Sequence, residues 1–114
     1  MPDKKMPGDK YEQLCQNLPS FCSEYLQEGL SEKSSLTQIE YAKDLCNFFE
    51  YALSKYSYFD KSQKITDITL EQFKLITVSD VNKYLRYLKD QKLSESLRAR
   101  RRTSLTMLYN YLVY

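Results

Sequence analysis

The chain has 114 residues, is 42% hydrophobic and carries a formal net charge of +2, which fits one domain with a small core. Histidine is absent, and the three cysteines, Cys15, Cys22 and Cys46, cannot all pair within the chain and form no C-x-x-C. This argues against a structural zinc site and points to free thiols in a reducing cytoplasm, with Cys22 and Cys46 buried on apolar helical faces.

The first ten residues, MPDKKMPGDK, lack the apolar stretch of a signal peptide, and no apolar run approaches the ~18 residues of a membrane span. Residues 1–17 hold two of the three prolines and one of the two glycines. They are expected to be a flexible tail, trailing into a first turn of helix near Tyr11 to Cys15. A helical domain over 18–114 follows. Pro19 sits in a first turn, where proline is tolerated, and Phe21, Cys22, Tyr25 and Leu26 share one face. Gly29 is expected to supply the C′ stop of this helix, a position at which glycine commonly takes a positive φ.

Ser35-x-x-Gln38 has the spacing of a capping box. The helix after it, over about 36–57, carries Ile39, Ala42, Leu45, Cys46, Phe49, Ala52, Leu53 and Tyr56 at helical spacing. Its opposite face is polar, with Gln38, Glu40, Lys43, Asp44, Asn47 and Glu50. Residues 60–76 lack a clean period and read as an extended loop, with one helical turn at 70–74. Thr77-x-x-Asp80 caps the next helix, in which Val78, Val81, Tyr84, Leu85 and Leu88 form the buried stripe. The expected fold is all-α: four helices, with one long connection between the second and third.

The last helix, from Glu95 to Leu112, is roughly 27 Å long at 1.5 Å per residue. Its second half carries Leu105, Leu108, Tyr109 and Leu112 on one face. Its first half carries Arg98, Arg100, Arg101 and Arg102. Ser94 is a suitable N-cap and Glu95 suits the helix dipole. From Lys92 to Arg102 there are five cations and one anion, a local excess of +4 in a chain of +2. A rooted helix presenting arginines is a common way to hold a nucleic-acid backbone.

The motifs taken together run Leu36-Thr37-x-x-x-Tyr41-x-x-Asp44-Leu45-x-x-Phe48-Phe49, then Ile65-x-Asp67-Ile68-Thr69, then Ile76-Thr77-x-x-Asp80-Val81-x-x-Tyr84-Leu85-x-x-Leu88. They close on Leu93-Ser94-x-Ser96-x-Arg98-Ala99-Arg100-Arg101, with Ser104-Leu105 and Tyr109-x-Tyr111-Leu112. In order and spacing this resembles the N-terminal core-binding, or SAM-like, domain of tyrosine recombinases, among them phage and conjugative-transposon integrases. The resemblance implies a four-helix domain gripping one side of duplex DNA as half of a clamp during integration or recombination, with other recombinase protomers as partners on the DNA. It places Thr37, Gln38, Tyr41 and Lys43 of helix two, and Ser96, Arg98, Arg100 and Arg101 of helix four, near the DNA. Arg102 departs from the family pattern, which has an apolar residue there, and is expected on the core-facing side.

The family's chemistry belongs to a second domain with histidines, arginines and a tyrosine nucleophile. No such constellation exists here, so the chain is expected to be non-catalytic, without cofactor, metal, membrane or small-molecule substrate. On this reading Arg100 and Arg101 are surface residues whose joint replacement by alanine leaves the fold intact. The alternative is a small helical protein-interaction module without nucleic-acid binding, with 111–114 as the contact face.

Overall fold

The computed structural model describes residues 7–113, and among them every regular element is helical. Five α-helices form: α1 (Pro7–Gln16), α2 (Ser35–Lys55), α3 (Leu70–Lys74), α4 (Val78–Asp90) and α5 (Glu95–Val113). Between α1 and α2 the chain makes a 3-10 turn at Ser20–Cys22 and a π-helical segment at Tyr25–Gly29. The expected count of four is therefore low, whereas α2, α4 and α5 lie within about two residues of their expected bounds.

α2 is the axis of the fold. Its Ala42, Leu45, Phe48, Phe49 and Ala52 are fully buried. Phe48 meets Tyr84 of α4 edge-on, ring centroids 5.1 Å apart, and Phe49 faces Phe73 of α3 at 6.0 Å. The N-cap of α2 is Ser34, one residue earlier than the sequence pattern suggests, and its side chain accepts from the Thr37 N–H at 3.2 Å. Gln38 does not close a box. It donates to the carbonyls of Leu30 and Lys33, stitching the preceding loop to the helix.

The first correction concerns residues 1–17. Pro7–Gln16 is a helix packed along α2, and residues 1–6 lie outside the described residues. Tyr11, Leu14, Cys15 and Leu18 recur at helical spacing and all pack on the core. The Tyr11 hydroxyl donates to the Leu26 carbonyl, fixing α1 to the π-helical segment. Proline in the first turn costs nothing, because its missing N–H has no helical partner there.

The long connection folds without a strand among the described residues. Ile65–Asp67 is a 3-10 turn. A reciprocal capping box between Thr69 and Gln72, with both bonds at 3.1 Å, starts α3. Five residues make no stable helix alone. α3 persists because Phe73 is buried between Phe21, Phe49 and Tyr109, stacking on Tyr109 at 4.6 Å. Burial of such a side chain contributes about 1.5–3 kcal/mol. Thr77 and Asp80 form the expected capping box at α4, and the Asp80 carboxylate also accepts from the Tyr58 hydroxyl at 2.7 Å.

Gly29 is the second correction. It does not adopt a positive φ. A Cβ built there would lie 2.7 Å from Tyr25 Cδ1 and 3.2 Å from Tyr111 Cδ2. Glycine is required by the close approach of two aromatic rings, which themselves pack at 5.3 Å. Gly29→Ala is expected to destabilise the domain by about 1–3 kcal/mol, the usual cost of overpacking. This would be read as a lowered urea midpoint, and Tyr111→Ala in the same background should recover part of the loss.

Candidate nucleic-acid interface

The cationic start of α5 meets the N-terminal half of α2, and charged and polar contacts join the two helices there. Asp44 of α2 is 3% exposed. Its carboxylate accepts from Arg100 Nε at 3.0 Å and Arg100 Nη2 at 2.8 Å, a bidentate pair. It also accepts from the Ser104 hydroxyl at 2.8 Å. Arg100 Nη1 reaches Glu40 at 2.5 Å. The hydrogen bonds that Arg100 donates to Asp44 raise the Arg100 pKa above its ordinary value, so the guanidinium is permanently charged. Arg101 Nη1 donates to Asn47 at 3.1 Å, and the same Asn47 oxygen accepts from the Tyr84 hydroxyl of α4 at 2.7 Å. Three helices thus meet on one polar network.

The sequence-derived residues fall into distinct environments. Lys43 and Ser96 are exposed, on α2 and in the first turn of α5. Tyr41 is half-buried against the core. Thr37 is tied to the Ser34 cap and Gln38 to the loop carbonyls. Arg98 is half-buried, with its Nε donating to the Leu93 carbonyl at 3.3 Å. Arg100 and Arg101 point at α2, with side chains 31% and 19% exposed. Arg102 is exposed. It lines a groove of about 410 Å³ between α4 and α5, beside Val78, Leu85 and Tyr109.

The structure therefore brings the starts of α2 and α5 together, but it exchanges the expected roles of two arginines. Arg102 faces solvent, and Arg100 holds a buried carboxylate. Asp44, Asn47 and Ser104 are the partners that sequence reasoning left out. The available signal was Ser104 one turn after Arg100, on the apolar stripe of α5.

Ion pairs among the described residues engage Arg100 and Arg101 but leave Lys43, Arg98 and Arg102 without a carboxylate. No group of three metal-ligating side chains occurs among the described residues, and no helix there is long and apolar enough to cross a membrane. Burial pushes Tyr109 up to about 12 and Cys46 to about 11, and raises Tyr25, Tyr56 and Tyr84 as well. At neutral pH these groups are protonated and serve as packing surface. The cysteines are free, with Cys22 buried and Cys46 half-buried.

The chain is 28% identical to tyrosine recombinase XerS of Streptococcus mutans over 115 aligned positions, which take in 91% of this chain and 32% of that protein. The chain thus spans about a third of the length of this relative. The similarity supports a relationship to tyrosine recombinases. No protein-family model and no solved structure matches the chain.

Because Arg100 compensates a buried carboxylate, its removal is a folding lesion. Arg100→Ala, alone or with Arg101→Ala, is expected to lower the unfolding free energy by about 3 kcal/mol. That is the low end for a broken buried pair, since the guanidinium keeps some water. Asp44→Asn, which keeps the Ser104 partner, should cost less. Urea unfolding with an unchanged slope and a shifted midpoint checks both.

Proposed function

We propose that this chain is the DNA-binding module of a tyrosine recombinase, of the core-binding, SAM-like type, gripping one side of duplex DNA as half of a clamp. The observation that carries the reading is the cationic start of α5 laid across α2, with Lys43, Arg98 and Arg102 outside every ion pair among the described residues. The similarity to XerS over nearly the whole chain supports it.

In this reading Lys43, Ser96 and Arg98 contact phosphates, with Arg102 added at the groove. Thr37, Gln38 and Tyr41 shape the start of α2 beside them. Arg100 and Arg101 present only the outer edges of their guanidinium groups, and their first task is to hold α5 against α2. Catalysis belongs to the remainder of a longer recombinase, other protomers join on the DNA, and the setting is cytoplasmic.

A second reading, a helical protein-interaction module, draws on Val78, 78% exposed on the lining of the α4–α5 groove, and on Leu75, 53% exposed three residues before it. The face expected at 111–114 is less suited, because Tyr111 packs on Tyr25 within the chain.

Fluorescence anisotropy with a labelled duplex of about 25 base pairs separates the two. Three cationic phosphate contacts, from Lys43, Arg98 and Arg102, imply a log–log salt slope of about −3, with micromolar or weaker binding at physiological salt. Arg98→Ala with Arg102→Ala should flatten the slope by about 2 while the urea midpoint stays in place. Absence of binding at 50 mM salt would overturn the DNA reading and leave the protein-interaction module.

A further inference from the structure

Away from the α5 arginines, α2 and α4 border a cleft that combines aromatic rings with ammonium groups. Tyr51 and Lys55 lie one turn apart on α2, and Lys83 and Tyr87 lie one turn apart on α4. The rings of Tyr51 and Tyr87 approach with centroids 4.9 Å apart, and Tyr51 also packs on the buried ring of Tyr84 at 5.0 Å. Tyr51, Lys55, Tyr58 and Lys83 line a cleft of about 360 Å³. A smaller cleft of about 180 Å³ adjoins it, sharing Tyr51 and Lys55 and bordered by Glu50 and Tyr87. Both lysines are exposed, and so is Tyr87.

The walls are braced before any ligand arrives. The Tyr56 hydroxyl donates to the Asp80 carbonyl at 2.8 Å, and the Tyr58 hydroxyl donates to the Asp80 carboxylate at 2.7 Å. The same carboxylate oxygen accepts from the Thr77 N–H at 2.9 Å. These bonds, that from Thr77 foremost, hold the Asp80 carboxyl below its ordinary value, so it is ionised and already engaged. Lys83 stands one turn after it, and Lys55 comes from the other helix.

Two ammonium groups from two helices suit a phosphate, which can accept from both. Tyrosine rings beside them suit the face of a base, and a base offers its face only when it is unstacked from a duplex. Glu50 adds an exposed acceptor for the N–H groups on the edge of that base. Because the two clefts meet at Tyr51 and Lys55, one nucleotide can reach both.

We propose that the α2–α4 cleft binds a nucleotide, with its phosphate between Lys55 and Lys83 and its base on Tyr51 and Tyr87. A free nucleotide and a nucleotide of an unpaired strand present the same chemistry. The site shares no residue with the duplex contacts proposed above and does not rest on them.

The test is the amide nitrogen–proton correlation spectrum of the full chain, titrated with thymidine monophosphate, thymidine or inorganic phosphate. The monophosphate should shift the signals of residues 54–58 and 83–87, and bind more tightly than either fragment. Lys55→Gln with Lys83→Gln should weaken the monophosphate by about tenfold and leave thymidine unchanged. Tyr87→Ala should weaken the monophosphate and thymidine by about tenfold, the worth of one base–aromatic stack, and leave phosphate unchanged. Lys61→Gln, in an exposed loop, is the control. A short oligothymidylate that displaces the monophosphate identifies an unpaired strand as the source, and one that does not identifies the free nucleotide. Absence of these shifts at millimolar monophosphate, or equal affinity in the double lysine variant with its spectrum otherwise intact, would overturn the site and leave the duplex reading standing. A chain that takes the monophosphate but no duplex at 50 mM salt would overturn the duplex reading and leave the site.

Discussion

The buried carboxylate of Asp44 sets the geometry on which the rest of this structure depends. A carboxylate that is 3% exposed is tolerable only with full compensation, and here three donors from α5 supply it. Apolar contacts root the second half of α5 through Leu105 and Leu108. The first half, Ser96 to Thr103, has no comparable stripe, and an apolar interface would hold it in no particular rotation. The bidentate Arg100–Asp44 pair fixes that rotation, because a planar fork fits a carboxylate in only one arrangement. A buried pair adds little net stability over an apolar contact of the same shape. What it specifies here is the position of α5 on α2, and with it the direction of every other cation on that helix.

This division of labour changes the meaning of the arginine run. Four arginines in five residues look like a uniform basic patch, yet the fold gives them unlike tasks. Arg100 is bound by two carboxylates and Arg101 by Asn47, while Arg98 is braced by the Leu93 carbonyl and Arg102 stands free at the α4–α5 groove. The network continues through Asn47 to Tyr84 at the centre of the core, so the cationic surface and the apolar interior share members. A substitution aimed at binding can therefore appear first as a loss of stability.

Much of this was legible in the sequence where a helix carries a long apolar period or a cap. α2, α4 and α5 are of that kind, as is the Thr77–Asp80 box. The rest depends on partners far along the chain. Asp44 reads as solvent-facing because its neighbours Lys43 and Asn47 are polar, and its burial follows only from Arg100 and Ser104, 56 and 60 positions away. Reading Ser104 as polar shifts the apparent buried face of α5 toward Tyr109 and draws Arg102 onto it. With Ser104 buried, the face centres on Leu108, which turns Arg101 inward, Arg100 toward α2 and Arg102 toward α4. Gly29 is similar in part: the tightest approach is the Tyr25 ring four residues away, but Tyr111, at the other end of the chain, closes the same space. At α1 the prolines and glycine outweighed a four-residue apolar period, although proline in a first turn carries no penalty.

Held and mobile cations offer complementary terms to a polyanion. An arginine locked by carboxylates loses little freedom when a phosphate approaches, but part of its charge is already balanced. An exposed lysine has its full charge to give but must be immobilised when it binds, at a cost of about 0.5–1.5 kcal/mol per side chain. The α2–α5 surface combines both. The fixed arginines hold α5 against α2, and the exposed Lys43 supplies charge with a long reach. On the proposed reading, a surface built this way would neutralise a phosphate backbone over a broad area with modest strength at each point. It gains most when a second module is linked to it, because the second contact is then intramolecular. On the proposed DNA-binding reading, weak, salt-sensitive, sequence-tolerant binding is the form of affinity that such linkage would turn into a tight grip.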